Sequence, residues 1–278
     1  MKNAYSALML GSILCTGNVW ASNCVQMPDC QSLGYTKTEN DCKGKPTVFC
    51  PTDKSKAFCS GTTEIAQEVA IGAILYADGT VTKDILSDKI PIGIVFDTEH
   101  RLAVALTDVK KDGSEGSQGI KWSENVYDVP NLENCTSITY GTDQNSDGTV
   151  ETCGIDGRAG TNAILACGTG CGGTPAATAC NLYQPTGCTQ LFCQKGQWFL
   201  PSMRDLNNIY LQKAVINATL SSLGRGGLLE KALYWSSTEY SNRFAWYLYM
   251  GDGYKSNTGK FNTNNNTWYL YVRPVIAY

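Results

Sequence analysis

Cysteine content is the sequence feature that most constrains how this chain can fold. The 278 residues include 13 cysteines, and all of them except Cys15 follow residue 21. An even number of cysteines in an exported chain predicts a framework of disulfide bonds. The cysteines expected to form it are Cys24, Cys30, Cys42, Cys50, Cys59, Cys135, Cys153, Cys167, Cys171, Cys180, Cys188 and Cys193. Five of these precede residue 60 and seven follow residue 134, so at least one bridge must join the two regions if every cysteine pairs.

The first 21 residues have the features of a secretory signal peptide. Lys2 provides a positive start, residues 7–14 form a short apolar run, and Val19-Trp20-Ala21 offers a cleavage site. The apolar run is too short to span a bilayer, and no later stretch approaches about 20 uninterrupted apolar residues. We therefore expect a protein that is secreted or displayed at the cell surface, with no transmembrane span.

A zinc site is the alternative to disulfides for the C-terminal cysteines. Its thiolate ligands would come from Cys167, Cys171, Cys180, Cys188 and Cys193. The chain has no Cys-x2-Cys pair, however, and its single histidine, His100, is distant in the sequence. Together with export, these features favour disulfides over a metal site.

Composition and charge argue against several classes of function. Apolar residues make up 42% of the chain and charged residues 17%, which is ordinary for a folded protein and too hydrophobic for disorder. The formal charge is −3, and no basic stripe is present to neutralise the phosphates of a nucleic acid. The single histidine lies in a polar turn, and disulfide formation leaves no thiolate nucleophile. We therefore expect no enzyme activity and no nucleic-acid partner.

The chain changes character near residue 60. Residues 22–60 are rich in cysteine and poor in aliphatic residues, so this segment cannot bury a sizeable core and needs covalent bridges. This composition predicts a small disulfide-stapled module after the signal peptide at residues 1–21. Residues 61–278 are predicted to form the main domain.

The main domain begins with strand patterns and continues with a loop region. Apolar runs predict strands at residues 71–76, 90–96 and 102–106, with a further short strand from Val81. Residues 107–157 are polar and rich in glycine, which predicts a long loop that a bridge between Cys135 and Cys153 would close.

Helix patterns follow, and strand patterns return at the end of the chain. Short helices are predicted at residues 161–166 and 175–183. Ser202 with Asp205 three residues later predicts an N-cap, and Gly224 predicts the end of this helical stretch. Alternating residues predict strands at 245–250 and 268–273. This order of elements predicts an α+β fold.

Four ordered motifs in the C-terminal half resemble a family of bacterial domains of unknown function. They are Trp198-Phe-Leu-Pro-Ser-x-x-Asp-Leu206, Tyr234-Trp-Ser-Ser-Thr-Glu-Tyr240, Ala245-Trp-Tyr247 and Val272-Arg-Pro-Val275. The family includes the C-terminal domain of the collagen-like adhesin Lcl. The resemblance covers roughly residues 61–278 and is most secure over 155–278, while the cysteine-rich segment lies outside it.

The resemblance implies a C-type-lectin-like domain with a small irregular antiparallel sheet and two or more flanking helices. It also implies a cell-surface protein that binds a glycan or a protein, as an adhesin does. The calcium-dependent lectin signatures Glu-Pro-Asn and Trp-Asn-Asp are absent from the sequence, so calcium-bridged sugar binding is not implied. The alternative is a structural or assembly component of the bacterial envelope or of an appendage.

The C-terminal 45 residues hold a concentration of tyrosine, asparagine and glycine, which is the composition of adaptable binding surfaces. Alternation along the strands puts several tyrosines on the faces opposite the tryptophans, and polar residues fall in the connecting loops. The predicted ligand-binding residues are Tyr240, Asn242, Tyr247, Tyr249, Asp252, Tyr254, Lys255, Asn257, Asn262 and Asn264. The alternative is that the loop residues form solvated turns.

Other motif residues are expected to have structural roles. Trp198, Trp235 and Trp246 are predicted core residues, and Trp268 belongs to the same group. Glu239 and Arg273 are expected to stabilise the fold in an ion pair or network, and not to act in acid–base catalysis.

One segment has the spacing of a calcium loop. Asp143, Asn145, Asp147 and Glu151 fall at positions 1, 3, 5 and 9 of an EF-hand-like pattern, with Gly148 at the turn. The last bidentate position falls on Gly154, and asparagine, aspartate and glycine also form turns without metal. A structural calcium ion is therefore a hypothesis for this loop, and we expect no other cofactor.

Overall fold

A computed structural model of the protein describes residues 69–138, 153–261 and 270–278 in full. Before residue 69 it describes only the backbone of four short strands. The chain divides into two compact units, Met1–Gln67 and Glu68–Tyr278. In the part of the chain that is described, no helix is both long enough and apolar enough to cross a bilayer.

The first unit contains two short antiparallel pairs. Strand β1 (Ile13–Leu14) pairs with β2 (Val25–Gln26), and β3 (Thr47–Phe49) pairs with β4 (Ala57–Cys59). The predicted signal-peptide cleavage site lies outside the described residues. The same is true of Cys24, Cys30, Cys42 and Cys50 and of the Cys59 side chain, so the pairing of these five cysteines stays a prediction.

A five-stranded antiparallel sheet forms the centre of the second unit. Its strands, in spatial order, are β12 (Val275–Ala277), β8 (Leu102–Ala105), β7 (Pro91–Asp97), β5 (Ile74–Tyr76) and β6 (Val81–Thr82). Every residue of β7 is buried. Ile92 and Val95 belong to one hydrophobic cluster, whereas Ile94 and Phe96 belong to another, so this strand separates two cores.

A second, three-stranded antiparallel sheet is built from the tyrosine-rich part of the chain. Its order is β11 (Lys255–Gly259), β10 (Phe244–Tyr249) and β9 (Leu233–Glu239). Trp246 and Leu248 on β10 pack into one core, and Tyr247 packs with Trp235 on the other side. The sheet is therefore covered on both faces.

Four α-helices lie between β8 and β9 in the described part of the chain: α1 (Gly157–Cys167), α2 (Pro175–Leu182), α3 (Met203–Leu211) and α4 (Lys213–Leu223). The predicted cap of α3 is confirmed, because the Ser202 side chain accepts from the Asp205 N–H while the Asp205 carboxylate accepts from the Ser202 N–H. Gly224 ends α4 in the left-handed conformation, at φ 61°. The predicted strand at 268–273 differs from the structure, where Leu270 and Tyr271 form only isolated bridges.

The expected core tryptophans that are described, Trp198, Trp235 and Trp246, are all buried. Their indole N–H groups donate to the carbonyls of Cys193, Ile120 and Cys135 respectively. Each tryptophan thereby links its motif to a loop while its rings fill the core. Trp268 lies outside the described residues.

Three disulfides pin the loops of the second unit: Cys135–Cys153, Cys167–Cys171 and Cys188–Cys193. The first one closes the long polar loop, as the sequence predicts. The expectation that Cys180 forms a disulfide is wrong, because α2 directs this residue into the hydrophobic core as a free thiol. Burial raises the pKa of the Cys180 thiol, which keeps it protonated and unreactive. A bridge between the cysteines before residue 60 and those after residue 134 is required only if every cysteine pairs. Because Cys180 is free, that condition is not met.

Arg273 and Asp108 form a buried ion pair at the junction of the two sheets. The Nη1 atom of Arg273 lies 3.0 Å from Oδ1 of Asp108. The same guanidinium donates to the carbonyls of Ala105, Leu106 and Gly227. The arginine thus provides hydrogen bonds to backbone carbonyls at the end of β8 and in the loop after α4.

Glu239 forms a separate buried pair, with Lys260. The Glu239 carboxylate also accepts from the Val129 N–H, and Lys260 Nζ lies 4.6 Å from the ring centroid of Trp122. Burial lowers the pKa of Lys260 to about 7, and the charge of the Asp128 carboxylate opposes this effect. The expected structural role of Glu239 and Arg273 agrees with this burial, but each of them has a partner that the motifs did not indicate.

The substitution Arg273→Met tests the importance of the buried ion pair. It leaves the Asp108 carboxylate buried without its cation, so we expect a loss of about 3–5 kcal/mol in the free energy of unfolding, measured with urea. The control is Lys89→Met, which removes the exposed Lys89–Asp78 pair. The control should change the free energy by about 1 kcal/mol or less, and an equally small effect of Arg273→Met would contradict the assignment.

Candidate functional site

The predicted ligand-binding residues do not all reach the surface. Asn242, Asp252 and Tyr254 are exposed, whereas Tyr240, Tyr247, Tyr249 and Asn257 are half-buried. Lys255 is buried, with 3% of its surface exposed. Asn262 and Asn264 lie outside the described residues.

The predicted loop position of Lys255 is wrong, because the turn before it ends at Tyr254. Gly253 adopts φ 81°, and the Tyr254 N–H donates to the Asp252 carboxylate. Strand β11 therefore begins at Lys255, which pairs with the fully buried Leu248 and shares its side of the sheet. Asn257 also lies within this strand and not in a loop.

The tyrosines of the small sheet act mainly in packing. Tyr240 contacts the rings of Phe244 and Trp246, with centroid distances of 6.3 and 5.6 Å. The Tyr247 side chain is hydrogen-bonded to Ser256, and burial raises the pKa of the Tyr247 hydroxyl. Tyr254, with 41% of its surface exposed, is the predicted aromatic residue that is most available to a ligand.

A cleft of about 590 Å³ opens beside this sheet. We call it the tyrosine cleft; its lining includes Asp108, Lys213, Leu228, Glu230, Lys231, Tyr234 and Tyr271. Tyr234 donates to Asp108 Oδ1 at 3.1 Å, and Ser117 donates to Oδ2 at 2.7 Å. The floor of the cleft is therefore fixed by the same carboxylate that pairs with Arg273.

The mouth of the tyrosine cleft carries mixed chemistry. Leu228, Glu230 and Lys231 are exposed, and Tyr271 is half-exposed. Lys213 donates to the carbonyl of Met250 and stands 4.9 Å from the Tyr210 ring centroid. The cleft offers an aromatic face together with hydrogen-bond donors and acceptors, and the charges of its lining residues nearly balance. Its volume is typical of ligand pockets. These features suit a neutral ligand with several hydroxyl or amide groups.

Sequence reasoning did not identify this cleft. Its residues come from five separate segments, and Leu228 to Lys231 have no motif character. The signal that could have indicated it is the position of Tyr271 beside the Arg273 motif, which places a half-exposed aromatic next to a buried charge.

The calcium hypothesis falls outside the described residues, because Asp143, Asn145, Asp147 and Glu151 are not among them. One described group of metal-type ligands consists of Glu133, Cys135 and Cys153. Its two sulfur atoms are joined in a disulfide, so they cannot act as thiolates. Calcium in the polar loop therefore stays a prediction.

No protein-family profile matches the chain, and no curated protein does. Among solved structures, the chain is similar to a fimbrial protein from Bacteroides ovatus ATCC 8483, with a TM-score of 0.43 and 16% identity over 75% of this chain. The similarity covers 49% of that protein, so the chain spans about half its length.

His100 occupies the predicted turn between β7 and β8, where it is held by Asp97. Its ring Nδ1 lies 2.9 Å from Asp97 Oδ2, and its backbone N–H donates to Oδ1. Asn208 on α3 donates to the same carboxylate at 3.2 Å. Burial alone would raise the pKa of Asp97, but these hydrogen bonds hold it below its ordinary value.

This depressed pKa predicts a loss of stability in acid. The folded state keeps Asp97 ionised where the unfolded chain takes up a proton, so its contribution is present above about pH 4 and is lost as the pH falls further. We expect Asp97→Asn to lower the free energy of unfolding by about 1 kcal/mol or more at neutral pH. In urea unfolding, the difference between variant and native protein should shrink towards about pH 3; a constant difference would contradict the assignment.

Proposed function

We propose that this chain is an exported component of the bacterial surface that assembles with another protein subunit, in the envelope or in an appendage. Three disulfides in the second unit support export, because such bridges form in oxidising compartments. The observation that carries the assembly function is an exposed apolar patch held in place by one of them.

The apolar patch consists of Ile85, Ile90 and Leu191, which are 53%, 42% and 81% exposed. Leu191 lies inside the loop that the Cys188–Cys193 disulfide closes. The Ile90 side chain lies beside Gly187, which directly precedes this loop, because a Cβ added at Gly187 would meet it. Ile85 lies in the segment that leads to Ile90. The aliphatic side chains are thus presented by neighbouring loops of the second unit.

A rigid apolar loop is suited to binding another protein. Isolated exposed leucines are common, but neighbouring exposed aliphatic residues mark interaction sites. The disulfide restricts the loop before binding, so association loses less conformational entropy. We propose that the partner is a protein surface with a complementary apolar site.

The double variant Ile85→Ser and Leu191→Ser tests this function. Analytical ultracentrifugation and cross-linking on the native cell surface should show that the native chain associates with another protein. In the double variant we expect the affinity of this association to fall at least about tenfold. The control is Val126→Ser, which changes an exposed residue in the loop that contacts the β9–β10 turn. Equal association of all three proteins would contradict the proposal.

A second candidate function is lectin-like recognition of a glycan, for which the tyrosine cleft is the specific support. The resemblance to C-type-lectin-like adhesin domains favours the same function. An oligosaccharide could place its apolar ring face on Tyr271 and its hydroxyl groups among Glu230, Lys231 and the cleft carbonyls.

A glycan array with the exported, oxidised protein tests this candidate. We expect Tyr271→Ala to reduce binding at least about tenfold, because it removes the aromatic wall of the cleft. Tyr254→Ala is the matched control, since it removes an exposed tyrosine of the originally predicted loop. Loss in the Tyr254 variant alone would move the site to that loop, and no binding by the native protein would reject a glycan ligand.

A further inference from the structure

Two cavities lie beside the turn between β7 and β8, and the same two basic side chains line both of them. Their volumes are about 380 and 350 Å³, and His100 and Arg204 line both of them. The first cavity also contains Arg158 and the first turn of α1. We call the space around Arg158, Arg204 and His100 the arginine pocket.

Arg204 is the unusual member of this pocket. It lies in the first turn of α3 and is partly buried, and its Nε atom is buried without a hydrogen-bond partner among the described residues. Its guanidinium also has no ion pair within those residues. A guanidinium withdrawn from water without a partner costs free energy, and a bound anion would remove that cost.

Arg158 adds a second cation. One of its Nη atoms donates to the carbonyl of Gln197 at 2.9 Å, and its guanidinium carbon stands 4.8 Å from the Phe199 ring centroid. Stacking on Phe199 fixes the plane of the guanidinium and leaves further N–H groups for a ligand. In the described part of the chain Arg158, like Arg204, has no carboxylate within ion-pair distance.

The carboxylates around the pocket are engaged elsewhere. Asp97 accepts from His100 and Asn208, and Asp156 caps α1 by accepting from the Ala159 N–H. Asp205 caps α3 through Oδ2, and burial raises its pKa, which favours its neutral form. Glu99 lines the second cavity but is exposed to solvent. None of these four carboxylates lies within ion-pair distance of Arg158 or Arg204, and the N-terminus of α1 adds a positive partial charge beside Arg158.

We infer that the arginine pocket binds a compact oxyanion, namely a carboxylate, phosphate or sulfate group. The guanidinium groups of Arg204 and Arg158 donate to its oxygens, and His100 contributes Nε2, since its Nδ1 faces Asp97. This site is independent of the apolar patch and of the tyrosine cleft. It shares no lining residue with the tyrosine cleft.

Titration of the full-length oxidised protein with phosphate, sulfate and acetate tests the site, with chloride at equal ionic strength as the reference. Nuclear magnetic resonance of the arginine side-chain Nε–H groups should show saturable shifts for at least one oxyanion and none for chloride. The three anions distinguish tetrahedral from planar ligands. Absence of saturable shifts with all three would overturn the inference.

The substitution Arg204→Gln should weaken oxyanion binding at least about tenfold, because it removes a charge-assisted donor pair. Without anion it should leave the thermal midpoint unchanged or raise it, since the Arg204 side chain has no hydrogen-bond or ion-pair partner to lose among the described residues; a purely structural arginine would give the opposite result. Arg225→Gln, which removes an exposed arginine after α4, is the charge-matched control. Arg158→Gln is the second test, and unchanged binding in both pocket variants would also overturn the inference.

Discussion

The buried pairing of Arg273 with Asp108 is the interaction on which most of the second unit depends. The arginine comes from the end of the chain, and the aspartate lies just after β8, 165 residues earlier. Tyr234 on β9 donates to the same carboxylate, so the pair connects the five-stranded sheet with the start of the three-stranded sheet. A buried charge is costly without its partner. The Arg273–Asp108 pair is therefore stable only when all three segments are packed correctly together.

The features that sequence predicted well are local or periodic. The cap of α3 needs only Ser202 and Asp205, which are three residues apart, and the Gly224 end of α4 needs only one glycine. The strands at β7 and β8 follow from short apolar runs, and the burial of Trp246 follows from alternation along its strand. In each case the information lies within a few neighbouring residues.

The features that sequence missed depend on distant contacts. The partners of Glu239 and Arg273 are set by how loops return to the sheets, and Lys255 is buried because it pairs with the buried Leu248 on the neighbouring strand. The arginine pocket joins Arg158, Arg204 and His100 from three separate segments. A single arginine forms no sequence motif. Only the lack of a hydrogen-bond partner for Arg204 Nε among the described residues indicates a site. Recognition of these groups therefore required the tertiary arrangement.

The free thiol of Cys180 has a consequence for how the protein survives unfolding. While α2 is packed, the thiol is protonated and inaccessible, and the neighbouring disulfides cannot exchange with it. If α2 opens, the thiol is released eight residues before Cys188, where it can attack that bridge and form non-native pairs. Opening of this helix then becomes irreversible, and the lifetime of the folded protein is set by an unfolding rate and not by an equilibrium.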